Sequence, residues 1–578
     1  MDLSRKTRNI WQNKEILKGI ELLLMACWFE GAIKDSSVTT SIYLIILVCA
    51  SREFLQNNNY ELSLTKAERY LWIIFSIFFS IITYVACDSQ DKIILNTGIE
   101  LLGGIITYKW LIHFGYRVLE TYQFPLTPKP KGKWSINKYF LLCTCSVLVI
   151  DLFFLVLVVY PGTLTIDSIS QIIQIEKGSY SDNHPYWHTQ MVRFWYSIGK
   201  TIFGTVEGGV FVFLVFQIVI MALCFGYSIL TISEMGANKK AISASILLYA
   251  IAPYNIAYSS SLWKDVLFGH MVLLLCTALI RLVRYIGDLR GIDYTLLIIG
   301  CFGVALLRHN GFYALFVYPI FCLLLLKKRG LIIALTIIGV VILSSLMQHQ
   351  ILDRGNIQPG EKTEALAIPI QQIARVVAYD GNLTTEQISM IDKVIDHNEI
   401  PALYNPHIVD PVKFRLDKEY LEHHLNEYFR LWIDVGKNNI GIFLRAWIEE
   451  TKGYWNAGYQ YWVWAKGLSP EDVGKDLGLK PTVTKSIHSR LLWEYWNLFL
   501  SDYPVDVFLG IGIHVWIIIL LGLYSTLHGN QETALIAVLN ALIIGTLLIA
   551  TPVYSEFRYA YSIFTTFPLI VISAFCKS

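Results

Sequence analysis

The 578-residue chain is predicted to be an all-α polytopic membrane protein with about fourteen transmembrane helices. Three observations predict this class. Hydrophobic residues make up 54% of the chain and charged residues only 16%, whereas soluble domains carry roughly a quarter charged residues. The mean hydropathy is +0.48. Long apolar runs such as 331–347 and 534–550 recur along the chain, and a helix needs about 20 apolar residues to cross a bilayer.

The polar connections between these runs divide the chain into four parts. Residues 1–137 hold four predicted spans, and residues 138–349 form a membrane core that includes the long loop 161–204. Residues 350–504 are predicted to form a mainly helical extracytoplasmic domain, and residues 505–578 complete the core with three spans. The predicted spans are 15–33, 38–53, 69–87, 92–115, 138–160, 205–231, 240–259, 262–284, 293–307, 311–326, 330–349, 505–526, 532–552 and 558–576.

Basic residues indicate how the spans are oriented. They gather in alternate connections, which the positive-inside rule assigns to the cytoplasmic side. These clusters include Arg5, Lys6 and Arg8, then Arg281 and Arg284, then Lys327, Lys328 and Arg329. We therefore expect a multi-pass protein of the plasma membrane with cytoplasmic termini and an extracytoplasmic active site. Because the net charge of +2 is spread over short clusters, no nucleic-acid partner is expected.

The loop 161–204 carries the first candidate site residues. Asp167 directly follows a predicted membrane exit, where a partly desolvated carboxylate can act as a general base. Asp182 is the second candidate catalytic residue, and the candidate substrate-binding residues Asn183, His184 and His188 follow it. Each carboxylate also has a structural alternative. Asp167 is placed to cap a helix over 168–176, worth about 1 kcal/mol, and Asp182 is placed to form a turn.

Three short polar groups border apolar helices on the predicted extracytoplasmic side. They are Lys264 with Asp265, Arg308 with His309, and Glu556 with Arg558 and Tyr559. If Lys264, Arg308 and Arg558 converge, they form a cationic pocket for a phosphate. The alternative is that each cation is an interfacial anchor, since a charge at the membrane surface costs less than one at the bilayer centre.

A last polar group opens the predicted extracytoplasmic domain. Gln371, Gln372 and Arg375 lie on one side of a predicted helix, because residues four apart share a face. We predict that they also bind substrate. The alternative is an ordinary solvated face of an amphipathic helix.

Taken in order, these elements resemble the GT-C superfamily of membrane glycosyltransferases. The resemblance rests on Asp167 after a membrane exit, on the Asp-x-His-Pro element at 182–185, and on the Glu-x-Arg-Tyr element at 556–559. It extends over residues 138–576. The sequence most resembles bacterial members related to protein mannosyltransferases and aminoarabinose transferases.

The resemblance implies a GT-C-like fold and a sugar donor carried on polyprenyl phosphate, with an extracytoplasmic glycan, lipid or protein as acceptor. Asp167 is then the base on the acceptor hydroxyl, and transfer inverts the sugar carbon. Asp182 and His184 orient acceptor or donor, and Arg558 lies near sugar or phosphate. Asp167 is followed by Ser168 rather than a second acid, and Pro185 by Tyr186 rather than a second proline. These departures leave the acceptor class open, and with it the use of a divalent metal; no other cofactor is expected.

Other functions fit the same pattern. A polysaccharide polymerase or ligase acting on polyprenyl diphosphates also has long extracytoplasmic loops with arginine and histidine. A lipid or solute transporter places its charges near the bilayer midplane. The one-sided clustering disfavours transport, although Glu207 and Gln217 on the sixth predicted span leave room for it. A non-catalytic scaffold predicts that neutralising Asp167 and Arg308 has no effect.

Overall fold

The structure, a computed structural model, describes residues 14–32, 37–56, 64–86, 94–124, 136–285, 291–354, 357–459, 463, 477 and 509–576. Within these residues the regular elements are all helices. They divide into two compact units: one comes from Met1–Gln123, Trp455–Gln460 and Tyr503–Ile513, and the other from Phe124–Tyr454, Tyr461–Asp502 and His514–Ser578. The predicted cytoplasmic residues Arg5, Lys6 and Arg8 lie outside the described residues, as does most of 460–508.

The first unit contains four helices, α1 (Lys14–Ala32), α2 (Ser37–Gln56), α3 (Lys66–Ala86) and α4 (Ile94–Thr121). Helices α1 and α4 approach closely at Gly103, where a side chain would overlap the backbone of Leu24. Trp28 of α1 packs edge-on against Tyr43 of α2 and Tyr108 of α4, with ring centres 5.3 Å apart in both pairs. Close backbone approach and aromatic packing therefore join α1, α2 and α4.

The second unit contains the other helices, apart from Trp455 and residues 511–513 at two helix ends. Its centre is α11 (Lys264–Arg284), in which nearly every side chain is buried, packed against α8 (Val206–Glu234), α12 (Gly291–Leu307), α23 (Gln531–Ala550) and α24 (Tyr561–Phe575). The helices are α5 (Lys138–Leu157), α6 (Ile166–Lys177), α7 (Tyr186–Phe203), α8 (Val206–Glu234), α9 (Lys239–Ile251), α10 (Pro253–Ser259), α11 (Lys264–Arg284), α12 (Gly291–Leu307), α13 (His309–Leu326), α14 (Leu331–Arg354), α15 (Ala367–Ala378), α16 (Thr385–Ile391), α17 (Ile400–Leu403), α18 (Asp410–Lys413), α19 (Lys418–His423), α20 (Leu425–Asn438), α21 (Ile440–Trp455), α22 (Ile511–Leu527), α23 (Gln531–Ala550) and α24 (Tyr561–Phe575).

Residues 357–454, which we call the helical segment, have an apolar core of their own. Ile370 and Ile373 of α15 pack there with Val412 of α18, Leu431 of α20 and Phe443 of α21. The segment is thus built as a small helical layer rather than as an extended loop.

Seven helical stretches of the described chain are long and apolar enough to cross a membrane, or eight if the bent pair α9 and α10 forms one span. Every one of the fourteen predicted spans coincides with one helix or, at 240–259, with the bent pair α9 and α10, but α1, α2 and α4 are not among the seven stretches. Helices α12 and α22 have only 17 residues each. One of the seven stretches, His309–Asp353, holds both α13 and α14, joined by the 3-10 turn Lys327–Gly330 and packed together. The total of fourteen and the GT-C-like fold therefore stay predictions.

A buried ion-pair group ties α8, α11 and α12 together. Arg281 Nε donates to Asp293 Oδ1 at 2.9 Å, and Arg281 Nη1 donates to Glu234 Oε2 at 2.6 Å. The hydroxyl of Tyr227 also donates to Asp293 Oδ1, at 2.7 Å. Since Arg281 is fully buried, its two carboxylate partners compensate a charge that would otherwise be costly to desolvate.

Replacing Arg281 by Met is expected to destabilise this unit, because Asp293 and Glu234 then lose their buried cation. We expect a loss of about 3–5 kcal/mol in the free energy of unfolding, measured by denaturant titration in detergent micelles. Arg329→Met removes the same charge from an exposed turn and should change stability by less than about 0.5 kcal/mol. Equal stability of the two variants would contradict a stabilising role for the buried group.

Candidate functional site

Several predicted site residues meet at one end of the helix bundle, where α11, α13 and the last span begin. We call this group the Arg558 cluster: Asp167, His184, Lys264, Asp265, Arg308, Glu556, Arg558 and Tyr559. Arg308 Nη1 donates to Asp265 Oδ1, which joins the start of α13 to the start of α11. Arg558 Nη1 donates to Asp167 Oδ2 at 2.6 Å, which joins the last span to α6. The Asp167–Arg558 ion pair thus joins side chains 391 positions apart in the chain.

Local structure leaves the Asp167 carboxylate free for these contacts. Helix α6 is capped by Thr165, whose backbone N–H donates to Ser168 Oγ at 3.1 Å. Asp167 itself lies in the first turn, after the cap. The alternative in which Asp167 caps the helix is therefore wrong, and the side chain is 36% exposed.

Arg558 lies between two carboxylates whose pKa values move in opposite directions. Its Nε donates to Glu556 Oε1 at 2.9 Å, while Nη1 holds Asp167. Burial tends to raise the pKa of Asp167, but the charges of Arg558 and Lys264 outweigh it and hold that pKa well below its usual range. Burial dominates at Glu556, which is 2% exposed, and raises its pKa to about 7. Near neutral pH, Asp167 is ionised, and Glu556 is protonated in part of the molecules.

His184 faces Lys264, and the pair defines the histidine tautomer. Lys264 Nζ lies 3.4 Å from His184 Nδ1. Burial and the lysine charge lower the pKa of His184 to about 4, so the ring is neutral at pH 7. An ammonium can only donate, so Nδ1 accepts and Nε2 carries the ring hydrogen. His184 therefore presents a hydrogen-bond donor at Nε2.

The two arginines share one aromatic ring. The Arg308 guanidinium carbon lies 4.5 Å from the ring centre of Tyr559, and that of Arg558 lies 5.2 Å from it. Trp263 supports Arg558 from another side at 5.6 Å. Stacking on aromatic faces orients guanidinium groups without using their N–H donors, so those donors can bind the carboxylates of the cluster or an anion that competes with them.

The segment 258–263 presents the start of α11 to the cluster, and Gln217 of α8 holds this segment. Its Nε2 donates to the carbonyl oxygens of Tyr258, Ser259 and Ser261 at 3.2, 3.0 and 3.0 Å. These bonds account for a polar side chain within an otherwise apolar helix. Gln217 was considered in the sequence as a possible transport residue; its contacts are those of a structural residue.

Asp182 and its neighbours lie beside the cluster and hold the loop that carries His184. The Asp182 carboxylate accepts from Tyr186 N at 3.1 Å and from Gln348 Nε2 at 2.8 Å. His309 Nε2 lies 3.2 Å from the Asp182 carbonyl oxygen, and Asn183 Oδ1 accepts from Glu361 N at 2.8 Å. These contacts match the turn-forming alternative, while a catalytic role of Asp182 stays a prediction.

His188 is completely buried in the first turn of α7. Its Nδ1 lies 3.0 Å from Gln171 Nε2, and burial lowers its pKa to about 3. The neutral ring links α6 to α7 behind the cluster. Its substrate-binding role therefore has no direct support from its contacts.

Gln371, Gln372 and Arg375 lie in the helical segment, where their hydrogen bonds join α15 to neighbouring parts of the same segment. Gln372 accepts from Trp432 Nε1 at 2.7 Å, and Arg375 Nη1 donates to Tyr404 Oη at 3.0 Å. All three side chains are buried, so the solvated-face alternative is wrong. The structure gives none of them a hydrogen bond to the Arg558 cluster among the described residues.

One chemically unusual residue was missed in the sequence. Glu450 of α21 is completely buried, and both of its carboxylate oxygens lack a hydrogen-bond donor among the described residues. It faces Gln371, whose Oε1 is also without a donor. Burial and the nearby Asp410 raise the pKa of Glu450 well above its usual value, which favours the protonated form of this carboxyl. Only the tertiary structure gives this signal, since the sequence shows an ordinary Glu449-Glu450 pair.

Residues 172–578 match the family of unknown function DUF6020, and this match covers more than half of the chain, which therefore belongs to that family. No curated protein and no solved structure is significantly similar to the chain. The matched range contains the whole Arg558 cluster except Asp167, which precedes its start. Function must accordingly be argued from the chemistry of the site.

Glu450 leads to a pH-dependent stability prediction. A carboxyl whose pKa is raised on folding stabilises the fold below its unfolded pKa, and this stabilisation is lost as pH rises through the folded pKa. Glu450→Gln keeps the shape and cannot ionise. We expect its melting temperature, relative to wild type, to rise steadily from about pH 5 to about pH 9. The exposed Glu386→Gln is the control and should show no such trend; a flat difference for Glu450→Gln contradicts a protonated Glu450.

Proposed function

We propose that this chain is an inverting membrane glycosyltransferase of the GT-C type, which moves a sugar from a polyprenyl-phosphate donor to an extracytoplasmic acceptor. The observation that carries the proposal is the Arg558 cluster. It combines an ionised, partly exposed carboxylate with three cations at the ends of apolar helices. In the proposed topology this end of the bundle faces the extracytoplasmic side of the plasma membrane.

The charges of the cluster suit a phosphate leaving group. Lys264, Arg308 and Arg558 are balanced by Asp167, Asp265 and Glu556 only when all three acids are ionised. While Glu556 is protonated, the cluster carries one net positive charge. Preorganised cations stabilise the charge that develops on the phosphate as the sugar departs. Helix ends lie at headgroup height, where the phosphate of a lipid-anchored donor also lies.

In the proposed reaction an acceptor hydroxyl oxygen attacks the anomeric carbon of the donor sugar. The bond from that carbon to the phosphate oxygen breaks, and polyprenyl phosphate leaves with the bonding electrons. The hydroxyl proton passes to Asp167. Attack from the face opposite to the phosphate inverts the anomeric configuration.

The Asp167–Arg558 ion pair affects the order of these events. A carboxylate held at 2.6 Å by an arginine is a weak base. A donor phosphate that binds Arg558 competes with Asp167 for the same N–H groups, which raises the pKa of the carboxyl. Donor binding therefore prepares the base before the acceptor reacts.

A divalent metal is not needed by this proposal, because the three carboxylates of the cluster each have a cation close by. Among the described residues, one group has spacing suited to a metal: Asp392, Asp396 and His397. It lies in the helical segment and is largely exposed, and it takes no part in the proposed mechanism.

Lipid retained by the purified protein tests the donor site. We expect wild type to carry a polyprenyl phosphate or its glycoside, and Arg558→Gln to lose it at least about tenfold, measured by mass spectrometry of extracted lipid. The double variant Asp265→Asn/Arg308→Gln removes a second cation without leaving a buried charge and should show a similar loss. The exposed Arg193→Gln is the matched control.

The identity of the retained lipid separates the alternatives. A diphosphate-linked oligosaccharide supports a polymerase or ligase instead. If a well-folded wild type retains neither lipid, the donor site is contradicted and transport becomes the leading hypothesis.

The base is tested by Asp167→Asn. We expect sugar transfer from the identified donor to fall by about 10²- to 10⁴-fold, because the amide cannot take the acceptor proton. Donor binding should persist, since Arg558 is then released from its ion pair. Glu176→Gln changes an acid in the same helix that pairs with Lys200 and should retain activity. Full transfer by Asp167→Asn removes Asp167 from the base role.

A further inference from the structure

The turn before the last span, residues 551–556, carries Glu556 and leads directly to Arg558. Its backbone is held by the hydroxyl of Tyr454, at the end of α21. Tyr454 Oη donates to the Val553 carbonyl oxygen at 2.9 Å and accepts from Glu556 N at 3.1 Å. It also lies 3.1 Å from Thr551 Oγ1. One completely buried hydroxyl therefore contacts the start, middle and end of the turn.

The backbone of the turn also requires close support from α21. Ser555 has a φ of +53°, a left-handed conformation that non-glycine residues adopt only where surrounding contacts maintain it. Gly453, next to Tyr454, packs directly on Ser555, and a side chain at position 453 would overlap it. The end of α21 thus matches the shape of this turn.

A second part of the helical segment, residues 407–409, also binds the backbone of the turn. Val409 N donates to the Pro552 carbonyl oxygen at 3.1 Å, and Tyr554 N donates to the His407 carbonyl oxygen at 2.9 Å. The turn is therefore held between α21 and residues 407–409.

We infer that Tyr454 is a positioning residue, which sets the Glu556–Arg558 turn in the geometry that binds the donor phosphate. The inference rests on the proposed function. Tyr454 has no contact with the anion itself and acts through the backbone of the turn. Without its hydroxyl, Glu556 N loses its hydrogen-bond acceptor and the Val553 carbonyl keeps only the Thr551 hydroxyl, so the turn relaxes and Arg558 loses its alignment with Arg308 across Tyr559.

The experiment measures binding of a methyl diester of a prenyl phosphate to the full-length protein in micelles, from about pH 5 to about pH 9. This probe keeps a single negative charge over that range, so any pH dependence comes from the protein. Because burial raises the pKa of Glu556 to about 7, wild-type affinity should fall as pH rises through that value. The groups that face Glu556 are Asp167, Asp265, Arg558, Tyr258, Tyr454 and Tyr559.

Tyr454→Phe should bind the probe about tenfold more weakly at pH 6, with the midpoint of the pH profile shifted below that of wild type. The shift follows because a relaxed turn exposes Glu556 to water. Tyr318→Phe is the matched control: it also removes a fully buried hydroxyl that donates to a backbone carbonyl, that of Leu535 at 3.1 Å. Leu535 lies near the start of α23, whereas residues 551–556 follow the last residue of that helix. This variant should keep the wild-type affinity and midpoint.

Thr551→Val provides a second test if Tyr454→Phe does not fold. It removes a hydroxyl that contacts Tyr454 and donates to the Val553 carbonyl at 2.8 Å, with little change in volume. A shifted midpoint supports the inference. If wild type binds the probe but Tyr454→Phe, or Thr551→Val in its place, behaves like Tyr318→Phe, the positioning role is overturned and the proposed function stands. If wild type does not bind the probe, the proposed function fails, and the inference fails with it.

Discussion

The site depends on the position of one guanidinium group between two carboxylates. Arg558 contacts Asp167 from α6 and Glu556 from its own turn, and it shares the ring of Tyr559 with Arg308. Burial dominates at Glu556 and raises its pKa to about 7. Positive charge dominates at Asp167 and keeps that carboxyl ionised. This separation of the two pKa values suits the proposed function, in which Asp167 takes a proton and Arg558 binds a phosphate.

That position is fixed by backbone contacts rather than by the ion pairs alone. Gln217 holds the segment before α11 through three carbonyl groups, and Tyr454 holds the turn before the last span through three contacts. Each is a single buried polar side chain that satisfies several backbone groups. Such groups are costly to leave unpaired, so these two residues stabilise the backbone segments that precede Lys264 and Arg558. In the proposed function, charge supplies the chemistry of the site, and buried hydrogen bonds supply its geometry.

The sequence and the structure agree on some residues and differ on others for physical reasons. The convergence of Lys264, Arg308 and Arg558 was expected from topology, because charged residues at the beginnings of spans that run in the same direction face a common region. Asp167 was weighed as a helix cap, but the capping box of Thr165 and Ser168 starts the helix two residues earlier. Gln371, Gln372 and Arg375 have the spacing of a helical face. The groups to which Gln372 and Arg375 hydrogen-bond lie 29 to 71 positions away in the chain, so the sequence does not show that this face is buried.

Composition and long apolar runs determined that the chain is helical and holds segments long and apolar enough to span a membrane, because a bilayer demands long apolar runs with internally paired backbone groups. The sequence also placed most of the cluster's charges at helix ends. Only the tertiary structure decided which acid pairs with which base, that Glu556 is buried, and that Tyr454 reaches the turn 102 residues further along. Those features arise from contacts between distant segments. Burial and pairing together set the energy of a charge, and neither is a property of local sequence.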